Sequence, residues 1–172
     1  MDPWTDLALR ARDGDRRALE ELVRVSQRDV RTLCTHLGDR DTVDDLVQDT
    51  YCRAFRALPR FRNDGTARSW LLSIARHACA DATRRRIRRR RRLSTAEVPE
   101  VASIDHRWTE VDDLVSGLDT DRRDAFVLTQ LLGLSYADAA EICGCPIGTI
   151  RSRVARARAD LLEALDDSAT GA

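Results

Sequence analysis

Two short stretches concentrate basic charge. Residues 84–92, RRRIRRRRR, carry eight arginines and no acid, and residues 149–159, TIRSRVARARA, carry four and no acid. Guanidinium groups at this density suit the neutralisation of a row of phosphates, each contact releasing condensed counterions. The rest of the chain returns the charge. Residues 93–148 sum to −8 and residues 160–172 to −4, so the 172-residue chain has a formal net charge of +0. All 29 basic residues are Arg. A solvated Arg-rich helix face would give the same pattern, so charge alone leaves polyanion binding and solvation as equal readings.

Other chemistries find less support. Cys143 and Cys145 stand two apart around Gly144, and His36 follows Cys34 by two. Neither spacing is a four-ligand zinc pattern, so no metal is expected. Cys34 and Cys143 fall on apolar stripes, where a thiol ordinarily packs. No nucleophile–base pair or phosphate-cradling loop stands out, so the reading is a protein that is not an enzyme and needs no cofactor. No run approaches the ~18 apolar residues of a membrane span. The first residues, MDPWTDLALR, lack the basic-then-apolar layout of a secretion signal. The expectation is a soluble, cytoplasmic chain.

The elements that must position these arginines are helical throughout. A short helix is expected over 5–12, followed by a break at Asp13-Gly14 and a cap at Asp15. Ala18, Leu19, Leu22, Val23, Ser26, Val30, Leu33, Cys34 and Leu37 then keep the three-and-four spacing of a buried helix face, with Gly38 as its stop. The helix predicted over 41–58 hides Val43, Leu46, Val47, Thr50, Tyr51, Ala54, Phe55 and Leu58. That leaves Asp45, Gln48, Asp49, Cys52 and Arg56 outside. Pro59 ends it. A helix over 67–83 buries Leu71, Ile74, Ala75, Ala78 and Ala82 on one side and runs into the arginines. Residues 93–106 show no period and contain a Pro, which suits a linker. Further helices are predicted over about 109–117, 121–132, 136–143 and 148–166.

The last two carry a specific arrangement. Ser135 and Asp138 form an S-x-x-D capping box opening YADAAEIC. Gly144-Cys145-Pro146-Ile147-Gly148 breaks the chain before the second arginine block. Two short helices joined by a Gly-containing turn, the second Arg-rich, match a helix-turn-helix. On the wheel of the second helix, Ile150, Val154, Ala157 and Leu161 share one arc, and Ser152, Ala155, Arg156 and Ala159 lie opposite. Arg151 and Arg153 flank that face. Small residues and arginines are what a helix in the major groove needs.

These residues also carry a family resemblance. LTQLLGLSYADAAEICGCPIGTIRSRVARARADL resembles the fourth domain of extracytoplasmic function (ECF, group IV) sigma factors of the sigma-70 family, with an actinobacterial wording. DDLVQDTYCRAFRALPRF and ARSWLLSIARHACADATRR resemble the second domain of the same family. The family's usual Glu after Gln is Asp49 here. The resemblance implies an all-α chain of two small helical domains joined by a flexible linker. Residues 1–92 would form domain 2, 93–107 the linker and 108–172 domain 4.

By that resemblance Asp45, Gln48 and Asp49 dock on the β′ clamp helices of core RNA polymerase, although an exposed acid patch alone would be an ordinary solvated face. Phe61, Asn63, Trp70, Arg76 and His77 would serve the −10 element, where melting needs a pocket for an unstacked base and nearby cations. The family commonly has Asn at the His77 position, and a surface histidine without base contact is an equal reading. Trp70, beside Leu71, suits a wall better than a stacking platform. Arg84, Arg85, Arg86 and Arg88 would hold phosphates. Thr149, Arg151, Ser152, Arg153, Ala155 and Arg156 would read or anchor the −35 duplex. The implied partners are core RNA polymerase, through β′ and β, promoter DNA and, in some family systems, an anti-sigma factor. A free-standing helix-turn-helix regulator would leave the 41–66 motif without a purpose, and a thiol or metal enzyme has no supporting constellation.

Overall fold

A computed structural model describes residues 3–62, 65–93 and 110–170. Every regular element among them is helical. They are α1 (Pro3–Arg12), α2 (Arg16–Leu37), α3 (Val43–Ala57), α4 (Ala67–Leu93), α5 (Glu110–Gly117), α6 (Thr120–Phe126), α7 (Tyr136–Cys143) and α8 (Ile147–Thr170). Single 3-10 turns, Arg40–Thr42 and Leu58–Arg60, flank α3, and a π turn, Val127–Leu131, extends α6.

Local chemistry accounts for most of the boundaries. Asp15 accepts the Ala18 N–H at 3.1 Å and opens α2. Thr66 accepts the Ser69 N–H at 3.1 Å, and Thr5 of α1 accepts the Ala67 N–H at 3.0 Å, so two hydroxyls satisfy the start of α4. Ser135 accepts the Asp138 N–H at 3.0 Å, as the capping box requires, while the Asp138 carboxylate returns to the Ser135 hydroxyl at 2.6 Å. Gly144 ends α7 in the left-handed region at φ 63°. Gly38 ends α2 for a different reason. Its backbone is extended, and a Cβ there would lie 2.5 Å from the Cys34 carbonyl oxygen and would also collide with Leu46 of α3, so the glycine leaves room for both.

Three expectations need correction. The helix expected over 41–58 is α-helical only over Val43–Ala57, its two ends winding tighter. Phe55, expected inside, is 43% exposed and leans on Tyr51 with ring centroids 6.0 Å apart. Burial on α4 is wider than one stripe, because Leu72 and Cys79 are as deeply buried as Leu71 and Ala75. The helix is central and packs against α2, α3 and α7 together.

A small apolar cluster joins α1 and α2 to Leu58, Phe61 and Ala67. The larger one includes Val30, Leu33, Leu46, Leu71 and Leu72 from the first half with Val115, Leu128, Ile142, Ile150 and Val154 from the second. The two halves therefore pack on a shared apolar core. The expected linker, 93–107, lies outside the described residues except for Leu93, the last residue of α4.

Candidate polymerase and nucleic-acid interfaces

The predicted acidic face of α3 divides in two. Asp45 and Gln48 are exposed. Asp49 is not simply a surface acid. Its Oδ2 is buried and lies 2.8 Å from Arg53 Nη2 without a well-aligned hydrogen bond. Arg53 in turn donates to Asp81 of α4 at 2.7 Å, and Arg84 donates to the other Asp81 oxygen at 2.6 Å. The two guanidiniums hold the Asp81 carboxyl at about 2, below its ordinary 3.8. Asp49 thus belongs to a charge network that fastens α3 to α4.

The candidate −10 residues fall into three groups. Phe61 is 5% exposed and packs on Trp70 at 5.1 Å between ring centroids, so it is a core residue and one wall of a shallow concavity. Trp70 is half-buried, as its neighbour Leu71 implied. The concavity, about 220 Å³, is lined by Arg60, Phe61, Arg62, Trp70 and, from α7, Glu141. Asn63 lies outside the described residues. His77 is exposed on α4, its Nδ1 2.7 Å from the Ser73 carbonyl oxygen.

Arg76 is already engaged. It donates to Asp124 of α6 at 2.6 Å, with side chains only 21% and 8% exposed. Burial pushes the Asp124 carboxyl above its ordinary range in spite of the guanidinium. Arg68 makes a second bridge, donating to Asp29 at 2.8 Å and to the Leu132 carbonyl oxygen at 2.6 Å. Arg40 pairs with Asp113, and His36 Nε2 stands 3.8 Å from Asp112. Desolvation holds the His36 imidazole below its ordinary value, against the pull of Asp112. A carboxylate oxygen of Glu141 lies 3.2 Å from where a Cβ on Gly65 would sit. Asp124 thus occupies part of the basic face of α4, while Asp112, Asp113 and Glu141 meet residues that precede it.

Farther along α4, Arg84, Arg85, Arg86 and Arg88 are all exposed. Arg84 leans on Asp81, and Arg86 donates to Asp39 at 2.7 Å. Both pairs face solvent, where such contacts exchange readily.

On α8 the predicted division of faces holds. Ile150, Val154 and Ala157 are buried, and Ser152, Ala155 and Arg156 are exposed. Arg151 is also exposed, and neither it nor Arg156 has an ion pair among the described residues. Thr149 is half-buried at the first turn, its carbonyl accepting from the Ser152 hydroxyl at 2.9 Å. Arg153 departs from the expectation. It pairs with Asp121 of α6 and reaches Cys145 Sγ at 3.5 Å, with its side chain 21% exposed. It ties α8 to α6.

Cys34 of α2 and Cys79 of α4 are free and buried. Burial pushes the Cys143 thiol up to about 11. Among the described residues no group of three or more His, Cys, Asp or Glu side chains could hold a metal ion, and no helix is long and apolar enough to cross a membrane. Sequence reasoning missed Arg68, Asp124 and Glu141. Asp124 alone left a signal, since it sits one turn before the buried Leu128, where an acid needs a partner.

Comparison with known proteins places both halves. Residues 22–92 match the family Sigma-70 region 2, and residues 108–161 match Sigma-70, region 4. The chain is 49% identical over 175 residues to the ECF RNA polymerase sigma factor SigC of Mycobacterium tuberculosis, covering 97% of this chain and 94% of the relative. It is 32% identical over 173 residues to the ECF RNA polymerase sigma-E factor of Haemophilus influenzae, covering 90% and 92%. Among solved structures, CnrH in complex with the cytosolic domain of CnrY superposes with a TM-score of 0.76 at 31% identity, covering 96% of this chain and 99% of that one. The sigma factor RpoE in complex with the anti-sigma factor NepR, from Bartonella quintana, gives 0.73 at 32%, covering 86% and 95%.

Proposed function

Since the chain belongs to the extracytoplasmic function group of the sigma-70 family and is a promoter-directing sigma factor, we propose that it divides promoter recognition between α4 and α8. The observation that carries this reading is the pair of basic helices, each with exposed arginines and a buried apolar side. Arg151 and Arg156, with Ser152 and Ala155 beside them, would read or anchor the −35 duplex from the exposed face of α8, starting at Thr149. Arg153 would support that face from behind. Residues 1–92 would act as one working unit and 108–172 as the other, with 93–107 between them.

The −10 element would meet α4. Asn63, Trp70 and His77 would contact its bases around the concavity that Phe61 backs, and Arg84, Arg85, Arg86 and Arg88 would hold phosphates. Arg76 is bound to Asp124, so its use on DNA requires α6 and α7 to withdraw from α4. Asp45 and Gln48 would dock on the β′ clamp helices of core RNA polymerase, with Asp49 holding α3 in place as well as adding charge. Binding to core would supply the energy that separates the halves. An anti-sigma factor would be a further partner, in keeping with the sigma factor–anti-sigma complex of the RpoE neighbour. The chain would work in the cytoplasm, without a cofactor or a catalytic step of its own.

The test is transcription in vitro with purified core RNA polymerase on a random promoter library, with 5′ ends sequenced. The reading requires starts that share two motifs and vanish without this chain. Starts indistinguishable from those of core alone would defeat it.

A further inference from the structure

We propose that Cys143 and Cys145 form a thiol-oxidation site, a pair that a hydroperoxide closes into a disulfide within the turn between α7 and α8, and that closure weakens the hold of α8 on duplex DNA. The effect on binding rests on the reading of α8 as the −35 helix. The oxidation itself does not.

The backbone of the turn suits the bond. Cys143 ends α7, Gly144 follows at φ 63° and ψ 39°, and Cys145 comes next. Those angles mirror the right-handed helical ones, so Gly144 holds its neighbours' Cα atoms as far apart as a helix holds residues two apart, about 5.4 Å. A disulfide spans Cα atoms roughly 4.4–6.8 Å apart. A Cβ on Gly144 would meet nothing within 4 Å, so the turn has room to adjust as the bond closes. Exposure separates this pair from the other two-thiol candidate. Cys143 and Cys145 are half-buried beside the exposed Gly144, Pro146 and Ile147, whereas Cys34 and Cys79 are enclosed in the core.

The surroundings assign an order to the two sulfurs. Arg153 Nη1 donates to Cys145 Sγ at 3.5 Å, and the same donor can meet an oxygen placed on that sulfur. Burial pushes the Cys143 thiol up to about 11, so it stays protonated at neutral pH and reacts second. In the first step the Cys145 sulfur takes one oxygen of the hydroperoxide. The O–O bond breaks, the remainder leaves as water or an alcohol, and Cys145 becomes a sulfenic acid. In the second step the Cys143 sulfur displaces the sulfenic hydroxyl. The S–S bond forms, the S–O bond breaks, and the hydroxyl leaves as water with the Cys143 proton. Two electrons have passed from the thiols to the peroxide.

Closure moves a residue on which the helix-turn-helix depends. The Cys145 N–H donates to the Ala140 carbonyl oxygen at 3.1 Å, and the next residue, Pro146, accepts the Thr149 N–H at 2.9 Å. Drawing Cys145 toward α7 therefore pulls on the first turn of α8, which presents Thr149 and Arg151. It also takes Sγ from Arg153, leaving that guanidinium to Asp121 of α6.

The test uses the full chain carrying Cys52→Ser, which removes the exposed thiol able to join two chains. The chain is treated with hydrogen peroxide, freed of it and added to core RNA polymerase. Mass spectrometry should find the peptide holding Cys143 and Cys145 lighter by two hydrogen atoms, and dithiothreitol should restore it. Oxidised holoenzyme should bind the strongest promoter recovered from the random library roughly tenfold less tightly, about the worth of one base contact. Binding to a pre-opened −10 fork without −35 duplex should not change. Cys143→Ser and Cys145→Ser should each form no such bond and keep their −35 affinity after the same treatment. Both cysteines left as thiols, a disulfide mapped elsewhere, or an oxidised chain that binds as tightly as the reduced one would each overturn the proposal. Reduced holoenzyme indifferent to the −35 element would defeat the reading of α8 and the effect on binding with it, while the peptide mass still decides the oxidation site.

Discussion

The two basic helices hold similar residues in opposite states. On α8 the exposed Arg151 and Arg156 have no ion pair among the described residues, whereas Arg153 pairs with Asp121 and Arg158 donates to Gln130 at 2.6 Å. On α4 the arginines nearest the concavity are committed to the rest of the protein, Arg68 to Asp29 and Leu132 and Arg76 to Asp124. A helix that reads duplex DNA needs only to be presented. A helix that shares in opening DNA offers strong, partly apolar contacts, and in this structure the second half covers some of them. The difference shows that arginine content marks where a polyanion could bind, while the nearest carboxylate decides whether it can bind without rearrangement.

The largest expected effect breaks that comparison. Asp124→Ala leaves Arg76 half-buried without its partner, which should weaken the packing of the two halves by about 3 kcal/mol. Fluorescence energy transfer between dyes on α1 and the end of α8 should fall, and affinity for single-stranded −10 DNA should rise. Arg76→Ala combined with Asp124→Ala should cost less packing than Asp124→Ala alone, because no uncompensated charge remains. Unchanged transfer efficiency in Asp124→Ala would mean that the shared apolar core alone sets the arrangement.

A second prediction sharpens the contrast within α8. Arg156→Ala should relax one −35 position by ~1–3 kcal/mol and leave thermal stability unchanged. Arg153→Ala should lower thermal stability and weaken all −35 sequences alike, since its partner is Asp121. Competition binding against single-base variants, with melting curves for each protein, separates the two outcomes. A uniform loss for Arg156→Ala would make it a phosphate anchor.

The third concerns α3. Asp45→Arg should weaken association with core polymerase while the fold keeps its melting temperature. Asp49→Arg should lower both, because it places a second cation against Arg53. Titration with core and calorimetry on the same samples check this pair. The smallest effect is acidic. The Asp81 carboxyl is held at about 2 in the folded chain against an ordinary 3.8. Its stabilisation is present above 3.8 and is lost as the pH falls through about 2. Partial exposure screens it to under ~1 kcal/mol. Asp81→Asn should flatten the acid limb of the stability profile by that amount, and an unaltered limb would remove Asp81 from the network.

The sequence by itself determined what short-range rules determine. Apolar residues at three-and-four spacing place the helix starts to within a turn, although α4, expected over 67–83, runs on to Leu93, and Asp15, Ser135 and Gly144 mark ends because capping is a contact between near neighbours. The faces of α8 were legible for the same reason, since residues four apart must share a side. Only the tertiary structure decided which charges are available. Asp124 and Arg76 lie 48 residues apart, Arg68 and Leu132 lie 64 apart, and no local pattern announces such partners. Asp49 looked like one more exposed acid until α4 brought Asp81 to Arg53. Phe61 was named for the −10 element with no sign that Trp70 packs on it. Periodicity reports which side of a helix faces the protein. It carries no information on what stands there, because that depends on chain closure over many residues and on the desolvation each pairing must overcome.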